Sequence, residues 1–293
     1  MPEIKPLVKE YIKELPHRAK ETEFPTTINK LNSKVWLSRS NTNIVAARPS
    51  NNKSTFCLNS IAVPTAENGK SVYIFSLEDR KDRYTMRYLA NKTSIVNYRI
   101  QHNELTESEM LTLEEHENEM ENIPLHIIED VGYKIEDIEK YIKELLIPPD
   151  MVIIDYINKI QTKNGNRLET INDYLRGFSA LTKTYNFCGI VCCQINREAM
   201  GDGNTGKARA PALHHIKESG DIEQICDVAI LLHWSYKYSE NYMTRNDIEI
   251  MVSKNKDGDC GVVHCRIEPE FNRIIGQEVV IAPTKQIVME EQI

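Results

Sequence analysis

A lysine and a hydroxyl residue, Lys53-Ser54, close the stretch Ala47-Arg48-Pro49-Ser50-Asn51-Asn52, which leads from an apolar segment into a helical one. Strand, tight turn, Lys-Ser and helix N-terminus form the outline of a phosphate loop. Loop amides and the helix dipole would take the anion, Lys53 would reach the outer phosphates, and Ser54 would ligate Mg²⁺. The pattern G-x-x-x-x-G-K-[ST] is broken twice, since Ala47 and Asn52 stand where glycines are expected. Alone, the match leaves an ordinary strand-turn-helix open. Three more groups bear on it. Glu78 follows the apolar run VYIF after Ser76-Leu77, Asp155 closes the run MVII, and Gln194 follows GIVCC. An apolar strand closed by Asp is the form that holds Mg²⁺ through its water shell. Each group has a plainer reading: Asp155 as a cap, Gln194 as a partner for loop backbone. Together they suggest hydrolysis of a nucleoside triphosphate, with Glu78 orienting the attacking water, Asp155 organising the metal and Gln194 sensing the γ-phosphate.

These groups converge only if they leave one edge of one sheet, where ligands of open parallel sheets bind. Apolar runs predict strands over 43–47, 71–75, 125–128, 151–154, 189–193, 228–233, 247–253 and 261–267. Runs such as MVII and GIVCC are apolar without alternation, which suits strands covered on both faces. Helical spacing appears over 54–63, 135–146 and 171–185, and the acidic stretch 104–121 reads as a solvated helix face. Strand-helix alternation predicts an α/β fold with a mostly parallel sheet and helices on both faces. The last strands lack long helices between them, so that end is expected to be antiparallel. Before the sheet, Ile4, Leu7, Val8, Tyr11, Ile12 and Leu15 recur at helical spacing until Pro16, and residues 16–30 read as a polar linker.

Composition excludes several classes. The chain has 293 residues, 41% hydrophobic and 27% charged, ordinary globular values that disfavour disorder, collagen and coiled coil. No apolar run approaches the roughly 18–20 residues of a membrane span, and the start has no signal-peptide core, so a cytoplasmic, non-membrane protein is expected. Thirty-six Lys and Arg against 43 Asp and Glu leave a net charge of −7. That argues against a surface that is basic throughout, but not against a local basic channel. The seven cysteines form no C-x-x-C pair and read as reduced thiols; His264-Cys265 and His214-His215 lack zinc-site spacing.

The stretches IVAARPSNNKSTF, YIFSLED, MVIIDYI, CCQINRE, LHHIKESGDIEQICDVAILL and MVSKNKDGDCGVV follow the order and spacing of the DnaB family of hexameric replicative helicases. The sequence resembles that family over about residues 3–270, as a linker helix followed by a RecA-like P-loop NTPase core. The resemblance implies a short, phage-like form lacking the N-terminal primase-binding domain, divided into linker helix and linker (1–26), ATPase motor domain (27–284) and tail (285–293). It implies ATP and Mg²⁺ bound by Arg48, Pro49, Ser50, Asn51, Asn52, Lys53, Ser54, Thr55 and Asp155, with Ser54 and Asp155 on the metal side. Glu78 matches the catalytic glutamate and Gln194 the γ-phosphate sensor. Lys254 and Lys256 match the lysine and arginine finger that enter the neighbouring subunit's site. Lys217, Glu218 and Gly220 match the loop that grips single-stranded DNA. Lys159, Lys163 and Arg167 are further channel candidates, or a solvated loop. A homo-hexamer on single-stranded DNA, with a helicase loader or primase as further partner, is what the family implies.

Three residues depart from the family. Asn52 replaces the glycine before Lys53; asparagine tolerates positive φ, but its side chain intrudes where backbone should approach phosphate. Lys256 replaces the finger arginine, keeping charge and losing the planar fork. Lys217 replaces the arginine of the DNA loop. The expected function is ATP-driven translocation on single-stranded DNA. A hydrolysis-impaired, RecA-like adaptor that binds DNA or another helicase is the alternative, and a recombinase-like filament ATPase is a third.

Overall fold

The computed structural model describes residues 4–14, 23–120, 123–129, 134–157, 167–195, 210–216, 222–238 and 245–277. In chain order these form helices α1 (Ile4–Glu14) and α2 (Asn29–Asn32), then strand β1 (Thr42–Ala47). A continuous helix over 53–67 follows, built of α3 (Lys53–Thr55), a π-helical stretch Phe56–Ala62 and α4 (Val63–Glu67). Next come β2 (Val72–Ser76), α5 (Lys81–Thr93), α6 (Asn97–Gln101), α7 (Glu107–Met120) and β3 (Leu125–Ile128). Then α8 (Ile135–Glu144), β4 (Met151–Asp155), α9 (Arg167–Thr184), β5 (Cys188–Gln194), α10 (Ile222–Ile225) and β6 (Val228–His233) lead to β7 (Asp247–Asn255), β8 (Gly261–Glu268) and β9 (Arg273–Gly276).

The nine strands make one sheet in the order β3-β2-β4-β5-β1-β6-β7-β8-β9. From β3 to β6 all pairs are parallel, and from β6 to β9 all are antiparallel. This is the RecA-like arrangement, and the switch of direction falls where long connecting helices stop. Side chains alternate between two cores. Val45, Ala47, Ile153 and Cys192 face the layer containing Phe56 and Ile61, while Ile44, Ala46, Ile154 and Val191 face the layer of Ile138, Leu175 and Phe178. Covering both faces is why the inner strands can be apolar at every position.

The structure adds elements the residue pattern missed. α5 (KDRYTMRYLANKT) buries only Tyr84, Tyr88 and Ala90, so no apolar stripe announces it. β9 is four residues long, too short for a period-2 signal. The polar linker expected over 16–30 is packed in its second half, where Phe24 and Ile28 are fully buried, as is Leu31 just beyond it. There Thr26 and Asn32 exchange backbone and side-chain hydrogen bonds of 2.8 Å, so the polar residues satisfy one another beneath the apolar ones. The C-terminal tail lies outside the described residues. Six cysteines are buried, Cys260 is exposed, and all seven are free thiols. Among the described residues no helix is long and apolar enough to cross a membrane, and no three His, Cys, Asp or Glu side chains cluster as a metal site.

Candidate functional site

β1 ends at Ala47, whose carbonyl accepts from the Ile195 amide at 2.9 Å, so the following loop starts level with the tip of β5. Two loop residues take left-handed backbone: Ser50 at φ 61° and Asn52 at φ 59°. Asn52 thus adopts the conformation glycine supplies in the standard loop, at a cost that asparagine bears better than most residues. Its Nδ2 is buried with no hydrogen-bond partner among the described residues. The Asn52 carbonyl receives the Phe56 amide at 2.8 Å, which starts the helix immediately behind Lys53. Asn51 ties the loop to the segment that follows β6, the neighbouring parallel strand: its side chain donates to Tyr238 Oη at 2.7 Å and accepts from the Trp234 amide at 3.0 Å. The Arg48 guanidinium, 2% exposed, lies 5.0 Å from the centre of the Tyr238 ring.

Lys53 reaches across to β4, where its ammonium pairs with Asp155 Oδ1 and lies 4.8 Å from the Tyr156 ring centre. Burial alone would pull the Lys53 pKa down; the Asp155 carboxylate more than offsets it, so the ammonium stays charged. Burial pushes Asp155 the other way, and Lys53, Ser54 and Tyr84 together bring its pKa below the usual carboxylate value. The second oxygen, Oδ2, accepts from the Tyr84 hydroxyl at 2.6 Å. A hydroxyl and a carboxylate oxygen beside a charged lysine are hard donors that suit Mg²⁺ when it arrives with a phosphate. Ser54 and Asp155 therefore fit such an ion.

A cavity of about 520 Å³ opens at this edge of the sheet, lined by the loop from Ala47 to Thr55 together with Glu78, Tyr156 and Gln194. The structure thus brings Arg48, Pro49, Ser50, Asn51, Asn52, Lys53, Ser54, Thr55, Glu78 and Gln194 around one space, with Asp155 bonded to its lysine. Its far wall was not anticipated from the sequence. There Arg87 pairs with Asp79 at 2.7 Å, and Asn97 and Asn272 each place a buried amide atom with no hydrogen-bond partner among the described residues. Only the run of polar residues after Glu78 hinted at this wall.

Lys254 and Lys256 sit elsewhere. Lys254 Nζ donates to the Cys226 carbonyl at 2.6 Å, and Lys256 Nζ lies 3.2 Å from Asp227 Oδ1. Asp227 in turn binds the Thr42 backbone at the start of β1. Six residues of strand, roughly 20 Å, separate this edge from the phosphate loop, so neither lysine reaches its own chain's cavity. They line a second groove with Arg176 and Lys183. Lys217, Glu218 and Gly220 lie outside the described residues, as do Lys159 and Lys163; Arg167 opens α9.

Comparison with known proteins bears on the family and the fold. Residues 24–275 match the model of the DnaB-like helicase C terminal domain. The replicative DNA helicase DnaB of Geobacillus stearothermophilus is 28% identical over 263 residues, covering 88% of this chain and 57% of that protein. The replicative DNA helicase DnaC of Bacillus subtilis is 27% identical over 240 residues, covering 80% of this chain and 52% of that protein. The chain thus spans about half the length of the curated relatives it matches. Among solved structures, an ATPase domain superposes with a TM-score of 0.84 at 21% identity, over 95% of this chain and all of that one. A DnaB-like replicative helicase solved for its interactions with primase gives 0.82 at 22% identity, over 93% of this chain and 68% of that one.

Proposed function

From the premise that the chain belongs to the DnaB-like helicase C-terminal domain family, we propose that it is an ATP-hydrolysing motor that moves along single-stranded DNA as a ring hexamer and so unwinds duplex DNA in replication. The observation that carries this reading is the meeting of Lys53, Ser54, Glu78 and Gln194 around one cavity, with Asp155 held against Lys53. In it, the loop amides and Lys53 bind the triphosphate. Ser54 and Asp155 hold Mg²⁺, which when bound neutralises phosphate charge. Glu78, exposed at the mouth, orients and polarises the attacking water, and Gln194 senses the γ-phosphate from the tip of β5.

The opposite placement of the two groups of cations supports an assembly. Nucleotide groups lie at the carboxyl edge of the parallel strands, and Lys254 and Lys256 at the amino edge. One chain completes another's site only by head-to-tail contact, and such an interface closes as a ring when its rotation permits. In that ring Lys256 serves as the finger and Lys254 as its companion. Helix α1, within the linking segment 1–26, presents Ile4, Val8, Tyr11 and Ile12 as an exposed apolar face, suited to docking on the next motor domain (27–284). Lys217, Glu218 and Gly220 supply the grip on single-stranded DNA inside the ring, and a helicase loader or primase is the further partner. Work on replicating DNA gives the protein a cytoplasmic address.

A second reading, an adaptor with little hydrolysis, is favoured by two observations: the buried Asn52 amide at the phosphate loop and a lysine in place of the finger arginine. ATP turnover by the assembled full chain, with and without single-stranded DNA, separates the two. The motor predicts DNA-stimulated turnover that Lys53→Ala abolishes. No turnover above background, with DNA binding intact and indifferent to nucleotide, would leave the adaptor.

A further inference from the structure

Asp155 divides its two oxygens between donors that differ in their freedom to leave. Oδ1 faces Lys53, a charge on a flexible four-carbon stem. Oδ2 accepts from the hydroxyl of Tyr84, a rigid ring 1% exposed to solvent. The ring sits within α5, with the Arg87 guanidinium 5.5 Å from its centre, and its oxygen also meets the Ser76 side chain. Ser76 is the strand neighbour of Asp155, and the Leu77 amide donates to the Asp155 carbonyl at 2.7 Å. Tyr84 therefore pins α5 to the ends of β2 and β4 together.

The proposed function requires Lys53 to turn toward the outer phosphates when a triphosphate enters. Asp155, 4% exposed with Lys53 against it, then loses the cation that faces its first oxygen. A carboxylate so enclosed stays aimed only if other donors hold it. Ser54 is itself needed by the metal. The donor that packing prevents from leaving is Tyr84.

We propose that Tyr84 is a positioning residue for the divalent cation of the nucleotide: its hydroxyl holds the Asp155 carboxylate turned toward Ser54 after Lys53 has moved to phosphate. The inference rests on the nucleotide reading of this cavity. It assigns a role to a residue that neither the phosphate-loop pattern nor the aspartate-terminated strand includes.

The test uses Mn²⁺, whose binding is read by electron paramagnetic resonance, titrated into the full chain with a non-hydrolysable ATP analogue. Tyr84→Phe keeps the ring and removes only the hydroxyl. Without nucleotide, Asp155 still has Lys53 and Ser54, so the variant is expected to fold, with a melting temperature near that of the parent and unchanged affinity for metal-free nucleotide. Its affinity for Mn²⁺ is expected to fall about 10–100-fold, the usual effect of removing a partner that orients a metal-holding group. In an Asp155→Asn background the same change is expected to have no further effect. A Tyr84→Phe protein that binds Mn²⁺ within about twofold of the parent, even if it melts lower, makes Tyr84 a packing residue and overturns the proposal. So does an undiminished effect in the Asp155→Asn background. If the parent shows no nucleotide-dependent Mn²⁺ binding, the nucleotide reading itself fails, a result distinct from either of these.

Discussion

Replacing Lys53 by alanine should destabilise the nucleotide-free protein by an amount that depends on pH. Asp155 is 4% exposed and Lys53 is its ion-pair partner. Removing one member of a buried pair costs about 3–5 kcal/mol, because the other charge stays behind without water. Tyr84 and Ser54 still touch the carboxylate, which places the loss at the lower end, about 3 kcal/mol. At about 2 °C per kcal/mol for a chain of this size, the melting temperature should drop by about 6 °C at neutral pH. The direction with pH follows from linkage. In the parent, Lys53 and the two hydroxyls depress the Asp155 pKa, so its contribution is present above the unfolded value and is lost as pH falls through the lower folded value. Without Lys53, burial dominates and raises the folded pKa above the unfolded one. Protonation then relieves the variant, so the gap between the two proteins should narrow as pH falls from neutral toward about 4. Thermal melts of both proteins in parallel, without nucleotide, read the gap. A gap below about 1 °C at neutral pH, or one unchanged in acid, would refute the argument that this pair is buried and charged.

Four other outcomes are expected. Asn52→Gly suits the left-handed backbone at φ 59° and removes the orphaned amide, so calorimetry should show nucleotide binding tightened by about tenfold, about 1.4 kcal/mol; unchanged affinity would mean that the side chain stands clear of the phosphates. Lys256→Arg restores a planar fork and should raise DNA-stimulated turnover at least tenfold, a small part of the roughly 10³–10⁵ that a finger supplies. Mixing inactive Lys53→Ala and Lys256→Ala chains should restore some turnover, since a ring then contains sites with both groups intact; no recovery would deny that Lys256 acts between chains. His233, 4% exposed, has its pKa lowered to about 4 from 6.5 by burial and by Arg48. It is neutral when folded and takes a proton more readily when unfolded. It should therefore cost stability as pH falls from about 6.5 to 4, up to about 3 kcal/mol, and His233→Gln should flatten that part of the pH–stability curve.

Most of the sheet was legible because strand formation leaves a local trace. Buried parallel strands must be apolar on both faces, and MVII and GIVCC are; strands without long crossovers must turn back on themselves, and β6 to β9 do. The loop was legible for a similar reason. Lys53-Ser54 at a strand-to-helix turn, with asparagine where backbone needs positive φ, is chemistry written over eight consecutive residues. The far wall of the cavity was not. Asn97 and Asn272 carry no pattern, and α5, which holds Arg87, has no apolar stripe to mark it as a packed helix.

The amino-acid sequence by itself determined what neighbouring residues can do together: periodicity, turn chemistry and the polar groups that close each apolar run. Only the tertiary structure decided the contacts between distant segments. Tyr84 meets Asp155 across 71 residues because β2 and β4 pair in register and α5 packs over them. Lys256 is kept from its own phosphate loop because β7 runs back antiparallel to β6 and ends at the opposite edge. The physical reason is the same in both cases. Backbone geometry sets local pattern residue by residue, whereas the meeting of side chains far apart in sequence is set by strand order and by how helices close over the sheet.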